Sequence, residues 1–257
     1  MAPALRPVPR KYTRFVYPLL AERRAQGAVC QIKLSRARFF AGRKTRIYRM
    51  ITIWGRTNSV NVQKVLWCCD ELVLPYDRID AGMHFGHNNA TNPDYLAMNP
   101  TGKIPTLVDD DFVLWESNSI LRYLVLQYGE SSLLYPAEPK LCSSIDRWLD
   151  WALSTLQPAE RPVFWTLVRT PAAERDITKI ATDIENVTRL WRMVDAHLTA
   201  RFFLEGENFT LTDIVIGAYA KRWFGVDGVE RPPLPNWSAG IRASPRVRAS
   251  RNTSIFR

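Results

Sequence analysis

The stretch GKIPTLVDDDFVLWESNSI, residues 102–120, predicts a β-hairpin that leads directly into a helix. Pro105 precedes the apolar run TLVD, and proline is tolerated at the first residue of a strand. The acidic residues 109–111 turn the chain back, and FVLW then forms the second strand of the hairpin. Helical spacing of apolar residues follows, so Glu116 and Ser117 stand where this strand becomes a helix.

A strand, a helix and another strand precede this hairpin. ITIW (51–54) predicts the first strand, GRTNS a turn, and the apolar residues from Val60 onward a helix with one apolar face. After Pro75, YDRID predicts the next strand, and NPDYLAMNP predicts a brief helical turn. Because a βαβ unit makes parallel strands and a hairpin adds antiparallel ones, residues 50–129 predict a small α/β sheet with helices on its faces.

The second half of the chain is predicted to be helical. YGESSLLYPAEP (128–139) interrupts the periodicity and predicts a linker. Three long segments with helical spacing follow: LCSSIDRWLDWALSTL (141–156), ERDITKIATDIENVTRLWRMVDAHL (174–198) and TLTDIVIGAYAKRWF (210–224). Thr210 and Asp213 have the spacing of a capping box, a structural role. We therefore predict an all-helical domain over 138–245 and a flexible tail over 246–257.

The net charge of +10 is concentrated at the N-terminus. Residues 1–49 hold thirteen of the 35 basic residues and one of the 25 acidic ones, which leaves residues 50–257 at −2. Because the globular part is not basic, we predict no nucleic-acid partner. Residues 1–49 are predicted to be a basic, unstructured extension. We expect the native chain to begin at or near Met50, and an organellar targeting segment is the alternative.

Membrane and metal chemistry are not predicted. No stretch approaches the ~20 apolar residues of a membrane span, and the N-terminus lacks the apolar core of a secretory signal, so we expect a cytoplasmic protein. The four cysteines have neither C-x-x-C nor metal-ligand spacing. His84 and His87 are close in sequence, but the surrounding Gly and Asn residues are typical of a solvated loop.

Two predicted loops flank one cleft in this topology. The start of the first helix and the residue before the third strand lie on the same side of the sheet, which brings TNSVN near GKIP. If the peptide bond before Pro105 is cis, the backbone N–H and C=O of Ile104 face outward and can pair with an extended peptide. The helix N-terminus at Glu116 and Ser117 suits a carboxylate, Ser117 adds a hydroxyl donor, and Glu116 can accept from an ammonium group. An ordinary N-cap at Ser117 or Asn118 is the alternative.

Ser59 lies at the junction of the first strand and helix, and Asn61 follows closely. The chain has no G-x-S-x-G motif, so Ser59 is not predicted to be a hydrolase nucleophile. A hydroxyl near a helix N-terminus can instead donate to a bound thiol, stabilise the thiolate and lower the pKa of that thiol.

IWGRTNSVNVQKVLW, NPTGKIPTLVDDDFVLWESNSILRYL and the helical second half together resemble the glutathione S-transferase family over roughly residues 50–245. The resemblance is to cytosolic, serine-containing members of bacterial, theta-like or phi-like type. It implies a thioredoxin-like domain that binds glutathione, followed by an all-α domain that supplies most of the pocket for a hydrophobic electrophile. It also implies a homodimer that acts in detoxification, with glutathione as co-substrate and no metal.

The resemblance also implies individual roles for residues at the matching motif positions. These are Ser59 as thiolate stabiliser with Asn61 as neighbouring candidate, Ile104 and Pro105 at the cysteinyl backbone, Glu116 and Ser117 at the γ-glutamyl end, and Lys103 at the glycyl carboxylate. Two alternatives to conjugation stay open. One is glutathione-dependent reduction of peroxides or disulfides, and the other is a non-catalytic binding module that keeps the fold.

Overall fold

The structure, a computed structural model, describes residues 50–82, 91–130 and 132–243. The predicted N-terminal extension, the tail after residue 245 and the His84/His87 loop lie outside the described residues. These described residues belong to one compact unit. Among the described residues, no helix has both the length and the apolar character to cross a bilayer. The described part of the chain also contains no group of three or more His, Cys, Asp or Glu side chains placed to hold a metal ion.

Within the described ranges, the first half folds around a mixed four-stranded sheet in the order β2-β1-β3-β4. Strand β1 (Ile51–Trp54) is parallel to β2 (Tyr76–Ile79), and helix α1 (Val60–Glu71) makes the crossover that parallel strands require. Strand β3 (Thr106–Asp109) is antiparallel to both β1 and β4 (Phe112–Trp115). The predicted thioredoxin-like fold is confirmed, including the hairpin over residues 106–115.

With one exception, the remaining described helices follow the predicted order. They are α2 (Pro93–Met98), α3 (Ser117–Tyr128), α4 (Pro139–Trp151), α5 (Gln157–Phe164), α6 (Ile177–His197), α7 (Leu211–Phe224) and α8 (Pro235–Ala243). Helix α5 was not predicted, because it contains two prolines and is flanked by π-helical turns at Ala152–Leu156 and Trp165–Arg169. A π-helical turn departs from the 3.6-residue period, so apolar spacing does not reveal it.

Helix α7 begins with the predicted capping box. The Asp213 carboxylate accepts from the N–H of Thr210 at 2.9 Å and from the N–H of Leu204 at 2.9 Å. Burial raises the pKa of Asp213 to about 6, and these hydrogen bonds oppose the rise. Asp213 therefore fixes the start of α7, as the sequence predicted, and it also holds the loop before the helix through Leu204.

Helix α1 packs against both α3 and α7, which joins the sheet to the helical half. Trp67 is buried on α1, and its ring centroid lies 5.7 Å from that of Phe209, close to the start of α7. A Cβ atom added to Gly217 would lie 2.9 Å from Cζ3 of Trp67. Glycine at this position therefore lets α7 approach α1 closely.

Candidate functional site

The register of the sheet brings three predicted segments to one edge. Trp54 at the end of β1 pairs with Thr106 at the start of β3, and Thr106 pairs with Trp115 at the end of β4. The residues just beyond these pairs are the turn before α1, the Ile104–Pro105 dipeptide and the start of α3. All three segments therefore lie side by side.

Ile104 contacts the turn that follows β1. A Cβ atom added to Gly55 would lie 3.5 Å from Cβ of Ile104 and would overlap a methyl group of Val62, so only glycine fits there. The peptide bond between Ile104 and Pro105 is cis. Among the described residues, the backbone N–H and C=O of Ile104 have no hydrogen-bond partner.

A buried polar network holds the loop before Ile104. The Tyr95 hydroxyl donates to the carbonyl of Lys103 at 2.8 Å, and the Asn99 amide donates to the same carbonyl at 2.8 Å. Thr106 Oγ1 lies 2.7 Å from the Tyr95 hydroxyl and accepts from the Asn99 amide at 2.9 Å. These hydrogen bonds fix the backbone of Lys103, although Lys103 as a whole is exposed to solvent. Sequence reasoning identified Lys103 but missed Tyr95 and Asn99, which have no distinctive motif.

Ser59 occupies the N-cap position of α1 with an extended backbone, φ −88° and ψ 124°. Its N–H donates to the carbonyl of Arg56 at 3.3 Å, which closes the turn after β1. Its hydroxyl does not cap the helix. The α1 N-terminus thus carries a hydroxyl that is not used in the helix itself.

Asn61 faces the helical half of the protein. Its Oδ1 accepts from the Tyr219 hydroxyl on α7 at 3.4 Å. Because this contact uses the amide oxygen, the amide nitrogen of Asn61 stays available as a donor.

Glu116 and Ser117 form the start of α3. Glu116 is the N-cap residue with φ 71°, a left-handed value that is uncommon outside glycine, and its side chain does not cap the helix. Ser117 is 2% exposed and is the first residue of the helix. Neither Ser117 nor Asn118 is the cap, so the capping alternative is wrong. Glu116 is exposed, and the α3 N-terminus presents first-turn N–H groups that its cap residue leaves unpaired.

A fully buried lysine, which sequence reasoning missed, links α1 to α3. Lys64 donates to Oδ1 of Asn118 at 3.1 Å, and the Asn118 amide donates to the carbonyl of Leu149 on α4 at 2.9 Å. Burial lowers the pKa of Lys64 to about 7; the charge of Arg222 adds to this effect and that of Glu116 opposes it. One sequence signal could have revealed its burial: α1 has a second apolar stripe, on which Lys64 lies one turn before Trp67.

A second, partly buried cation, Arg222 on α7, extends this arrangement into the helical half. Tyr219 lies between Lys64 and Arg222, whose cationic groups are 5.2 and 5.0 Å from its ring centroid. Arg222 donates to the buried Glu160 carboxylate through Nη2 at 2.9 Å and Nε at 3.1 Å, and Trp191 donates to the same group at 3.1 Å. Burial raises the pKa of Glu160 to about 7, and the charge and hydrogen bonds of Arg222 oppose the rise.

Comparison with known proteins agrees with this architecture. The family profile "Glutathione S-transferase, N-terminal domain" matches residues 58–126. Glutathione S-transferase GstB of Escherichia coli (strain K12) is 42% identical over 203 residues, which span 77% of this chain and 96% of that protein. Glutathione S-transferase 3 of Zea mays is 30% identical over 166 residues, which span 63% of this chain and 73% of that protein.

A solved structure shows the same relationship in three dimensions. The theta class glutathione S-transferase from Xanthomonas axonopodis pv. citri, with glutathione bound, matches with a TM-score of 0.72 and 42% identity. The match covers 80% of this chain and 98% of that one. The chain belongs to the glutathione S-transferase family.

Proposed function

We propose that this protein binds glutathione at the sheet edge and transfers its sulfur to an electrophilic carbon. The observation that carries the proposal is that, among the described residues, the Ser59 hydroxyl does not cap α1 and the backbone groups of Ile104, in a neighbouring loop, have no hydrogen-bond partner. A relative that is 42% identical is named a glutathione S-transferase, and a solved relative contains bound glutathione.

The tripeptide would lie along the edge formed by the three loops. Its cysteinyl backbone pairs with Ile104, before Pro105, because an extended peptide satisfies both the N–H and the C=O of that residue. The carboxylate of its γ-glutamyl end lies at the α3 N-terminus with Ser117, and its ammonium group lies at Glu116. The exposed side chain of Lys103 is left to meet the glycyl carboxylate.

Ser59 would act by stabilising the thiolate. A charge-assisted hydrogen bond is worth about 1.5–3 kcal/mol, which lowers the pKa of a thiol by about one to two units. The thiol proton leaves to solvent, the thiolate attacks the electrophilic carbon, and the leaving group departs with its bonding electrons. Asn61 is the second candidate donor through its amide nitrogen.

The pH dependence of conjugation to 1-chloro-2,4-dinitrobenzene tests this role. For Ser59→Ala, we expect the apparent pKa of bound glutathione to rise by about one to two units, with a ~10–100-fold lower rate near neutral pH. Ser59→Thr is the matched control because it keeps the hydroxyl. If Asn61→Ala shifts the profile and Ser59→Ala does not, the two roles are exchanged; if neither shifts it, a different donor holds the sulfur.

The same preparation separates the other activities. Reduction of cumene hydroperoxide without conjugation would replace the transferase proposal with a reductase that uses two glutathione molecules. Retention on immobilised glutathione without either reaction would indicate a binding module. Buried Cys68 and Cys69 do not supply a reactive protein thiol, because burial raises the pKa of each.

We further propose a cytoplasmic homodimer that detoxifies electrophiles with an apolar body. Phe112 and Trp115 are 44% and 37% exposed on the edge strand β4, and exposed aromatic groups on an edge strand favour association with another chain. Trp165 is 42% exposed on the helical half and offers an apolar surface to the electrophile. Sedimentation velocity of the wild type and of Phe112→Glu measures the assembly, which the substitution should weaken.

A further inference from the structure

Arg56 lies in the turn that carries Ser59. Its N–H donates to the carbonyl of Ala81 at 3.2 Å, and its carbonyl accepts from the N–H of Ser59 at 3.3 Å, so the backbone of the turn is fixed. Its Nε is buried and has no hydrogen-bond partner in the part of the chain that the structure describes. A buried donor without a partner is unfavourable unless a ligand supplies the acceptor.

The helical half contributes a second guanidinium, that of Arg169. Arg169 ends the π-helical turn after α5, and its guanidinium carbon lies 6.0 Å from the ring centroid of Phe164. Burial lowers the pKa of Arg56, and the charge of Arg169 adds a smaller effect in the same direction. Within the described ranges, neither arginine has a carboxylate within 4.0 Å. Arg222, by contrast, is neutralised by Glu160.

A continuous series of contacts connects Arg169 to the proposed sulfur site. Phe164 also faces Arg222, whose guanidinium carbon lies 5.7 Å from its ring centroid. Arg222 stacks on Tyr219, and Tyr219 donates to Asn61, two residues after Ser59. This series links Arg169 to the segment that carries Asn61, and Arg56 lies in the turn just before Ser59.

Apolar surface accompanies these charges. Trp165 and Val168 lie on the same π-helical turn as Arg169 and are 42% and 50% exposed. A cation pair beside an exposed indole suits a molecule with an apolar body and an anionic end, because arginine forks bind carboxylates and the indole covers the apolar part.

We propose that the electrophile carries a carboxylate, which Arg56 and Arg169 bind while the reacting carbon meets the thiolate near Ser59. This inference rests on the proposed function and specifies its substrate class. With a halogenated aromatic acid, the glutathione thiolate attacks the carbon that bears chlorine, a C–S bond forms and the C–Cl bond breaks. Chloride leaves with the electron pair, the thiol proton passes to solvent, and the carboxylate is unchanged.

The test compares 4-chloro-3-nitrobenzoate with 4-chloro-3-nitrobenzamide, which differ in the charge of one group. Each kcat/KM is divided by the rate constant of the uncatalysed reaction with glutathione, because the two rings differ in intrinsic reactivity. We expect the normalised ratio to favour the benzoate by about 10-fold or more in the wild type, and to fall by about 10-fold in Arg56→Gln and in Arg169→Gln. Arg192→Gln removes the same charge from the exposed face of α6 and should keep the wild-type ratio.

A binding measurement on the wild type makes the test independent of the variants' folding. The two conjugation products, one with the carboxylate and one with the amide, are titrated as ligands, and the carboxylate product should bind about 10-fold more tightly at low salt. Equal binding, or an unchanged ratio in both arginine variants while the amide is conjugated, overturns the carboxylate proposal and leaves the transferase function standing. Absence of conjugation with both probes and with 1-chloro-2,4-dinitrobenzene overturns both.

Discussion

Replacing Lys64 with methionine should change the stability of the protein in a way that depends on pH. Lys64 is completely buried, and its pKa falls from 10.5 to about 7 in the folded state. Between these values the unfolded chain binds the proton that the folded chain has lost, so the wild-type free energy of unfolding rises with pH. Below pH 7 both states are protonated, and the full cost of the buried charge, ~5 kcal/mol at about 1.4 kcal/mol per unit, is present.

Lys64→Met removes this cost but leaves Oδ1 of Asn118 without its donor, which costs about 1–3 kcal/mol. We therefore expect the variant to be more stable than the wild type by about 2–4 kcal/mol at pH 7. The advantage should shrink by about 1.4 kcal/mol per pH unit above pH 7, so that little or none remains at pH 9.5. Titration of the buried cysteines cancels in this comparison because both proteins contain them.

Guanidinium chloride unfolding at fixed protein concentration, followed by tryptophan fluorescence at several pH values, measures the difference. Lys179→Met is the matched control, since Lys179 is exposed and pairs with Asp183 on the surface of α6; it should change stability by less than about 1 kcal/mol at every pH. A constant loss for Lys64→Met across the whole range would refute the reasoning. It would show that Lys64 stays charged and is compensated by a partner.

The other predictions concern the glutathione site, the buried ion pair and the contact between α1 and α7. Glu116→Ala and Ser117→Ala should each weaken glutathione binding ~10-fold or more by calorimetry with a nearly unchanged Tm, because neither side chain caps α3; a lower Tm with normal binding would contradict this. Arg222→Gln should lower the free energy of unfolding by about 3–5 kcal/mol at pH 8, because it leaves the buried Glu160 carboxylate without a counter-charge. The loss should be smaller at pH 5.5, where Glu160 is protonated, and equal losses of stability at the two pH values would argue against this explanation. Gly217→Ala should lower stability by about 1–2 kcal/mol in chemical unfolding, since its Cβ meets the α1 indole at 2.9 Å, and a stabilised variant would show that the helices can separate at little cost.

The local pattern of the sequence predicted the elements of the sheet and the segments at its edge. Strand β1, the hairpin and the start of α3 were each marked by their own residues, and topology alone brought them together. Exposure of the Ile104 backbone groups to a ligand was expected only if the peptide bond before Pro105 is cis, and this bond is cis. The roles of Ser59, Ile104 and Glu116 stay predictions, because they depend on a bound ligand.

Tertiary packing decided what the sequence could not predict. Lys64 reads as an ordinary surface residue of an amphipathic helix until α7 covers the second face of α1. Arg56 and Arg169 are separated by more than a hundred residues, so no local spacing connects them. Helix α5 was hidden by its prolines and by the π-helical turns around it.

The contact between α1 and α7 limits how this protein can be divided or recombined. A fragment limited to the sheet and its helices would expose the buried residues Trp67 and Lys64 of α1 to water. Such a fragment should therefore aggregate or bind a different partner through this face. A chimera that joins this sheet to the helical half of a relative needs a small residue opposite Trp67 and an aromatic ring opposite Lys64, where Gly217 and Tyr219 stand here. If the helical half is exchanged to alter substrate specificity, the contacting residues of α1 and α7 therefore have to be transferred together.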